Sequence, residues 1–204
     1  MEIKEHWESV YRTKGSQQVS WYQAEPRTSV ALIEKCAVRK DEPVLDVGAG
    51  ASSLADALLD RGFTDITVLD ISAAALQVAQ NRLGERAGLV KWIVSDLLDA
   101  VLPEHYFGVW HDRAVFHFLT RADDRSRYVR LLRDSMKPGG SIVMATFGPN
   151  GPPKCSGLDV MRYSGEGLLA ELGAGVTLEE SFIEIHPTPF GTNQEFQFAR
   201  FRMA

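Results

Sequence analysis

Short β-branched runs alternate with longer helix-patterned stretches from residue 43 to residue 147, and this alternation restricts the fold more than any other feature of the chain. The first run, Pro43 to Val47, leads into Asp46-Val47-Gly48-Ala49-Gly50. Ser52 and Ser53 follow as caps for a helix of about Leu54 to Arg61, which presents Leu54, Leu58 and Leu59 on one face and stops at Gly62. Ile66 to Leu69 repeats the unit, with Ser72 capping a helix that carries Leu76, Ala79, Gln80 and Leu83. Leu89 to Val94 runs into Asp96, and Phe107 to His111 precedes Asp112 and a helix near Asp124 to Met136. Lys137-Pro138-Gly139-Gly140 is the stop signal of that helix, and Ser141 to Phe147 is a fifth strand. Runs of this kind separated by helices predict a parallel sheet with right-handed crossovers.

The last third changes character. A Gly/Pro-rich loop, Gly148 to Gly157, is followed by a helix of about Ser164 to Leu172 and two strands, Thr177 to His186 and Glu195 to Arg202. Their connection is too short for a crossover helix, so the two strands pair antiparallel. Residues 3 to 40 read as largely helical and carry Trp7, Tyr11, Trp21 and Tyr22. At 204 residues the chain fits one domain and one site, with a core drawn from 45% hydrophobic residues.

A formal charge of −5 without a basic block argues against a nucleic-acid partner, and the start, MEIKEHWESV, has no apolar core of a signal segment. No stretch is apolar enough to span a membrane, so a cytoplasmic protein is expected. Two cysteines without CxxC spacing and five histidines without a metal-binding pattern predict reduced thiols and no metal site.

Glycines at a strand end let the backbone turn sharply and let a ligand reach the main chain, although a plain strand-to-helix turn uses the same residues. Asp70 ends the second strand about twenty residues on, where a carboxylate accepts from both ribose hydroxyls of a nucleoside. Asp96 is placed to accept from an adenine amine, with Ile71 and Leu97 on either side of the ring; it serves equally as a helix cap. Asp46 separates the ligand classes. A carboxylate on the strand entering the loop repels a pyrophosphate, as of NAD(P), and favours a cationic ligand.

Val44-Leu45-Asp46-Val47-Gly48-Ala49-Gly50, Val68-Leu69-Asp70-Ile71-Ser72, Val94-Ser95-Asp96-Leu97, His111-Asp112-Arg113 and Lys137-Pro138-Gly139-Gly140 together resemble the ordered motifs of class I S-adenosylmethionine (SAM)-dependent methyltransferases. The resemblance implies an α/β, single Rossmann-like domain: a seven-stranded sheet of order 3-2-1-4-5-7-6, strand 7 antiparallel, with helices on both faces. It implies SAM as co-substrate, with Asp46, Gly48 and Gly50 at its methionine part, Asp70 at the ribose, and Asp96 with Leu97 at the adenine. Ser52 stands where many members have a third glycine. The run from His6 to Tyr11, with Ser20-Trp21-Tyr22, is similar to the lid of small-molecule enzymes of the thiopurine and halide type and of small protein-lysine methyltransferases. Residues 1–40 would then be a helical lid with Trp21 on SAM, 41–148 the SAM-binding half, and 149–204 the substrate side. The same aromatics read equally as pins for an N-terminal helix.

Methyl transfer from a sulfonium needs alignment, dryness and a free lone pair on the acceptor, and a base only if the acceptor arrives protonated. Candidate bases are His111, Asp112 and His117, with Asp112 also a SAM contact; His117, between two phenylalanines, reads equally as a packed residue. The loop after the fifth strand lies on the ligand side, so Tyr22, Phe147, Cys155 and Arg162 are candidate substrate contacts. A small-molecule acceptor with an N, S or O nucleophile is expected, a protein lysine being the alternative. An oxidoreductase or a SAM-binding protein without catalysis remains as a reading of another class.

Overall fold

The chain's architecture follows from a computed structural model that describes residues 3–15, 18–36 and 39–204. Two helices, α1 (Ile3–Thr13) and α2 (Arg27–Cys36), precede the sheet. Then come β1 (Val44–Val47), α3 (Leu54–Asp60), β2 (Ile66–Asp70), α4 (Ala73–Leu83), β3 (Val90–Val94) and β4 (Phe107–Arg113). They are followed by α5 (Ala122–Ser135), β5 (Met136–Phe147), β6 (Lys154–Cys155), β7 (Leu158–Asp159), α6 (Gly165–Leu172), β8 (Val176–Pro187) and β9 (Asn193–Met203).

Seven strands form one sheet in the order β3-β2-β1-β4-β5-β9-β8, which is the expected topology. Strands β1 to β5 are mutually parallel, and β9 inserts antiparallel between β5 and β8. Every residue of β1 and β2 is buried, as expected of central strands covered on both faces. On one face Val44, Val68, Val109 and Val143 pack against Ile33 of α2, Leu58 of α3 and Leu76 of α4. On the other, Leu45, Trp110 and Ile142 meet Tyr128 and Leu132 of α5 and Leu168 of α6. Strand order reverses between β1 and its two neighbours, which opens a crevice beyond the carboxyl ends of β1 and β4.

Three local expectations are corrected. Strand β4 continues through Asp112 to Arg113 instead of ending at His111, because it pairs with β5 as far as Ala145. Lys137-Pro138-Gly139-Gly140 is absorbed into β5 rather than standing outside regular structure; a register shift between Phe107 and Val109 accommodates it. Residues 148–157 are not simply loop, since Lys154–Cys155 pairs with Leu158–Asp159 around Ser156 and Gly157, both at positive φ as the tightest hairpin turns require. At α3, Ser53 holds the cap position without a side-chain bond, while the Ser52 hydroxyl accepts from Leu54 N–H at 3.1 Å.

The exit from β4 is held by one buried carboxylate. Asp112 accepts from the N–H groups of Val115 (2.9 Å) and Phe116 (3.1 Å) and from the Tyr128 hydroxyl (2.7 Å), which itself accepts from Trp110 Nε1 (2.8 Å). These bonds support Ala114 at φ 71, a left-handed conformation that costs a non-glycine residue about 1–2 kcal/mol. Burial pushes the Asp112 carboxyl up to about 6 against the pull of these donors. Tyr128→Phe leaves Trp110 N–H without its acceptor and Asp112 short of one donor. A loss of about 1–3 kcal/mol is expected from the midpoint of urea unfolding, and an unchanged midpoint would show that this chain of bonds does not hold the turn.

Candidate active site

A cavity of about 510 Å³ lies beyond the carboxyl ends of β1, β2 and β4. Its floor begins at the glycine turn. Gly48 and Gly50 have φ of 60° and 57°, and a Cβ on either would overlap Val115 or the Tyr11 hydroxyl, so both are glycine for backbone conformation and for close packing. Gly50 N–H donates to Asp70 Oδ2 at 2.7 Å and Ser72 N–H donates to Oδ1 at 2.8 Å, which ties the loop after β1 to the end of β2. Burial pushes the Asp70 carboxyl up to about 6; the two N–H donors oppose this, and the charges of Asp46 and Glu8 add to it.

Asp46, on β1, faces His111, its register partner on β4: Oδ1 lies 2.6 Å from His111 Nδ1, and His111 Nε2 lies 2.9 Å from the Ser29 hydroxyl of α2. The other oxygen, Oδ2, is buried with no hydrogen-bond partner among the described residues. Asp96 accepts from Leu98 N–H at 2.9 Å and so caps the short turn Leu97–Asp99, while also lining the cavity with Ile71 and Leu97.

The cover comes from the N-terminal segment. Trp7, Tyr11, Val19, Trp21 and Tyr22 line the cavity from above, and Trp7 meets Trp21 and Phe118 edge to face at 5.8 and 5.2 Å between ring centroids. Two contacts moor this segment. Glu8 Oε1 accepts from Ala73 N–H at 2.7 Å, which puts a carboxylate on the first turn of α4 beside the Ser72 cap, and His186 Nε2 bonds Ser20 O at 2.9 Å.

Of the residues singled out in the sequence, Trp21, Tyr22, Asp46, Gly48, Asp70, Ile71, Asp96, Leu97, His111 and Cys155 line this cavity. Gly50 joins it through its bond to Asp70. Four others lie elsewhere. Asp112 is fully enclosed in the β4 turn rather than facing a ligand. His117 is a core residue whose Nδ1 accepts from Phe147 N–H at 3.3 Å. Burial, with Arg113 nearby, pushes the His117 imidazole down to about 3, which makes it a poor base at neutral pH. Phe147 packs between His117 and Phe196, and Arg162 donates to Gly151 O. Cys155 is a thiol pushed up to about 12 by burial, so it is protonated at neutral pH.

Sequence reasoning missed Ser29 and Arg113. Ser29 sits inside a helix that has no motif. Arg113 belongs to a quoted motif, but nothing in the chain signals that its guanidinium is enclosed: Nη1 donates to Trp21 O at 3.0 Å, the group lies 4.7 Å over the Phe196 ring, and Nε and Nη2 have no partner among the described residues. Burial pushes its pKa down to about 10, so it stays cationic at neutral pH.

The methyltransferase-domain family profile matches residues 45–144, the stretch from β1 into β5. The human EEF1A lysine methyltransferase 2 is 26% identical over 201 residues, covering 91% of this chain and 77% of that protein. The Ubiquinone biosynthesis O-methyltransferase of Pseudomonas putida (strain GB-1) is 31% identical over 123 residues, 59% of this chain and 51% of that protein. The chain spans only 15% of the mouse eEF1A lysine and N-terminal methyltransferase, to which it is 27% identical over 114 residues. The structure of Burkholderia thailandensis 1,6-didemethyltoxoflavin-N1-methyltransferase, with bound 1,6-didemethyltoxoflavin and S-adenosylhomocysteine, aligns with a TM-score of 0.73 at 18% identity, covering 99% of this chain and 87% of that one. Residues 45–144 thus carry a methyltransferase domain, and the chain shares its fold with SAM-dependent methyltransferases of known structure.

Glu8→Ala removes the carboxylate from the start of α4. A loss of about 0.5–2 kcal/mol is expected, read as a lower melting temperature, with Glu8→Gln retaining part of it. An unchanged melting temperature would mean that the aromatics alone hold the cover in place.

Proposed function

We propose that the protein transfers a methyl group from SAM to a small-molecule acceptor by in-line displacement, in the cavity beneath the N-terminal cover. The observation that carries this reading is the row of carboxylates from Asp46, Asp70 and Asp96 along one wall, with Asp46 Oδ2 buried and unpartnered. A buried anionic oxygen without a donor is costly, and the sulfonium or ammonium of SAM compensates it where a pyrophosphate would add to the cost. Arg82, a basic residue on the same wall, is already committed to Asp56 and to the carbonyls of Ala51 and Ser52, so it offers no phosphate site.

In this reading Asp46 and the turn from Gly48 to Gly50 hold the methionine end, Asp70 the ribose, and Asp96 with Ile71 and Leu97 the adenine. When bound, SAM supplies a methyl group on a cationic sulfur. The chain's own task is to align the acceptor and exclude water, which the aromatic and aliphatic residues of the cover support. Residues 1–40 act as the lid of a single domain, 41–148 as the SAM-binding half and 149–204 as the acceptor side. His111 lines the cavity and is the base for an acceptor that arrives protonated only once Nε2 is released from the Ser29 hydroxyl, since both ring nitrogens are engaged in this structure.

Relatives named for protein-lysine and for small-molecule methylation are both among those the chain matches. The unpaired guanidinium of Arg113 in the cavity wall favours the second class, because a lysine ammonium brought beside it meets like-charge repulsion. The protein is read as cytoplasmic; among the described residues no helix is long and apolar enough to cross a membrane.

Calorimetry with SAM, S-adenosylhomocysteine and NAD tests the proposal, and NAD binding with silence towards both SAM and its product would sink it. The pH dependence adds a second check. Hydroxyl donors favour the ionised form of Asp70, whose folded pKa is about 6, so S-adenosylhomocysteine affinity rises as pH climbs through about 6 and levels off above it. Asp70→Asn is expected to lower affinity by about 1.5–3 kcal/mol and to remove that inflection. The same inflection in the variant would move the titrating group elsewhere.

A further inference from the structure

Arg113 is the one cation in the cavity wall, among the described residues, that lacks an anionic partner: Arg82 is paired with Asp56, whereas Arg113 makes a single hydrogen bond, to Trp21 O. Its free nitrogens are informative. Nε and Nη2 lie on the same edge of a guanidinium and present two parallel N–H groups, the fork that fits both oxygens of a carboxylate. The remaining nitrogen, Nη1, is the one spent on Trp21, and one face of the group is covered by Phe196. An enclosed charge with an empty two-pronged edge is expensive to maintain and is compensated by an anion of matching shape.

SAM carries a carboxylate of its own, but the position of Arg113 argues for the acceptor. Its side chain sits over β9 and under Trp21 of the cover, and Glu184 of β8 acts on its charge more strongly than Asp46 does. Glu184 is engaged by the Thr28 hydroxyl. This is the side of the cavity away from Asp70 and Asp96, towards β5, β9 and the β6–β7 hairpin. The adjoining wall is apolar, made by the edge-to-face set Trp7, Trp21 and Phe118.

We propose that Arg113 is the specificity-determining residue for the acceptor, which places a carboxylate on the free Nε and Nη2 edge and lays a flat apolar body against Trp7, Trp21 and Phe118. The inference rests on the methyltransferase reading and narrows its substrate class to organic acids. Two probes of the same shape, benzoate and benzamide, differ only in the group that would meet the fork.

The experiment starts with calorimetry of S-adenosylhomocysteine into the wild-type protein, then titrates each probe into the saturated complex. Benzoate is expected to bind about tenfold more tightly than benzamide, the preference of a paired charge-assisted contact. In Arg113→Met the preference falls below about twofold, and Arg113→Lys lies between, since an ammonium keeps the charge without the fork. S-adenosylhomocysteine affinity stays the same within about twofold in both variants. Saturation with S-adenosylhomocysteine but no benzoate preference in the wild type overturns this proposal alone, and so does a preference that survives in Arg113→Met. A loss of S-adenosylhomocysteine affinity in Arg113→Met also overturns it, because the fork would then serve the co-substrate's own carboxylate. A wild-type protein that takes up no S-adenosylhomocysteine overturns the methyltransferase reading, and this proposal with it. If Arg113→Met does not fold, the wild-type comparison and Arg113→Lys decide.

Discussion

The carboxylate of Asp70 is clamped between the N–H groups of Gly50 and Ser72, and three parts of the molecule meet at that clamp. One bond fixes the glycine turn leaving β1, and the other fixes the residue that caps α4. The helix so started receives Glu8 of α1 on its first N–H groups, which brings the N-terminal cover down over the turn. Tyr11, one helical turn beyond Trp7, then packs so closely on Gly50 that no side chain fits there. Floor, neighbouring strand and cover therefore depend on one buried anion, and burial raises its pKa against the pull of its two N–H donors.

A division of charge runs through the cavity. Carboxylates stand at the ends of β1 and β2 and just after β3, whereas the guanidinium of Arg113 ends β4 on the side towards β9. Both ends keep enclosed polar atoms without partners, Asp46 Oδ2 at one and Arg113 Nε and Nη2 at the other. Two neighbouring charges are fully engaged by contrast: Asp112 takes three donors, and Arg82 makes contacts to Asp56 and two carbonyls. Buried polar groups are paired as a rule; unpartnered atoms occur outside the cavity too, as at Ser141, Thr146 and Tyr163, but those of Asp46 and Arg113 belong to residues that line it, where a ligand can complete the structure.

Much of the fold was legible in the chain because parallel sheets announce themselves. Strands buried on both faces are largely apolar and are followed by helices, so β1, β2, α3 and α4 follow from the residue pattern, as do the edge strand β3 and α6, with ends shifted by one or two positions. The failures fall where tertiary pairing outweighs local signals. Pro138 and Gly139 read as a stop but lie within β5, where a register shift accommodates them. His111 read as a strand end, yet pairing with β5 carries β4 on to Arg113. Ser156-Gly157 read as loop and became the turn of a hairpin that sets Cys155 in the wall.

For the site, the chain by itself determined which residues end the strands. Asp46, Gly48, Gly50, Asp70 and Asp96 follow from position, because the carboxyl end of a parallel strand is where its loop must turn and where a ligand meets the backbone. Only the tertiary structure decided which polar groups there are already satisfied. Asp112 and His117 lie close in sequence to the acceptor side, yet the fold buries them against Tyr128, Phe116 and Phe147. Arg113, one residue from Asp112, is left with an unused edge because successive residues of a strand point to opposite faces. Hydrogen-bond satisfaction depends on partners from α1, α2 and α5, which are far apart in the chain, so no local pattern of residues encodes it.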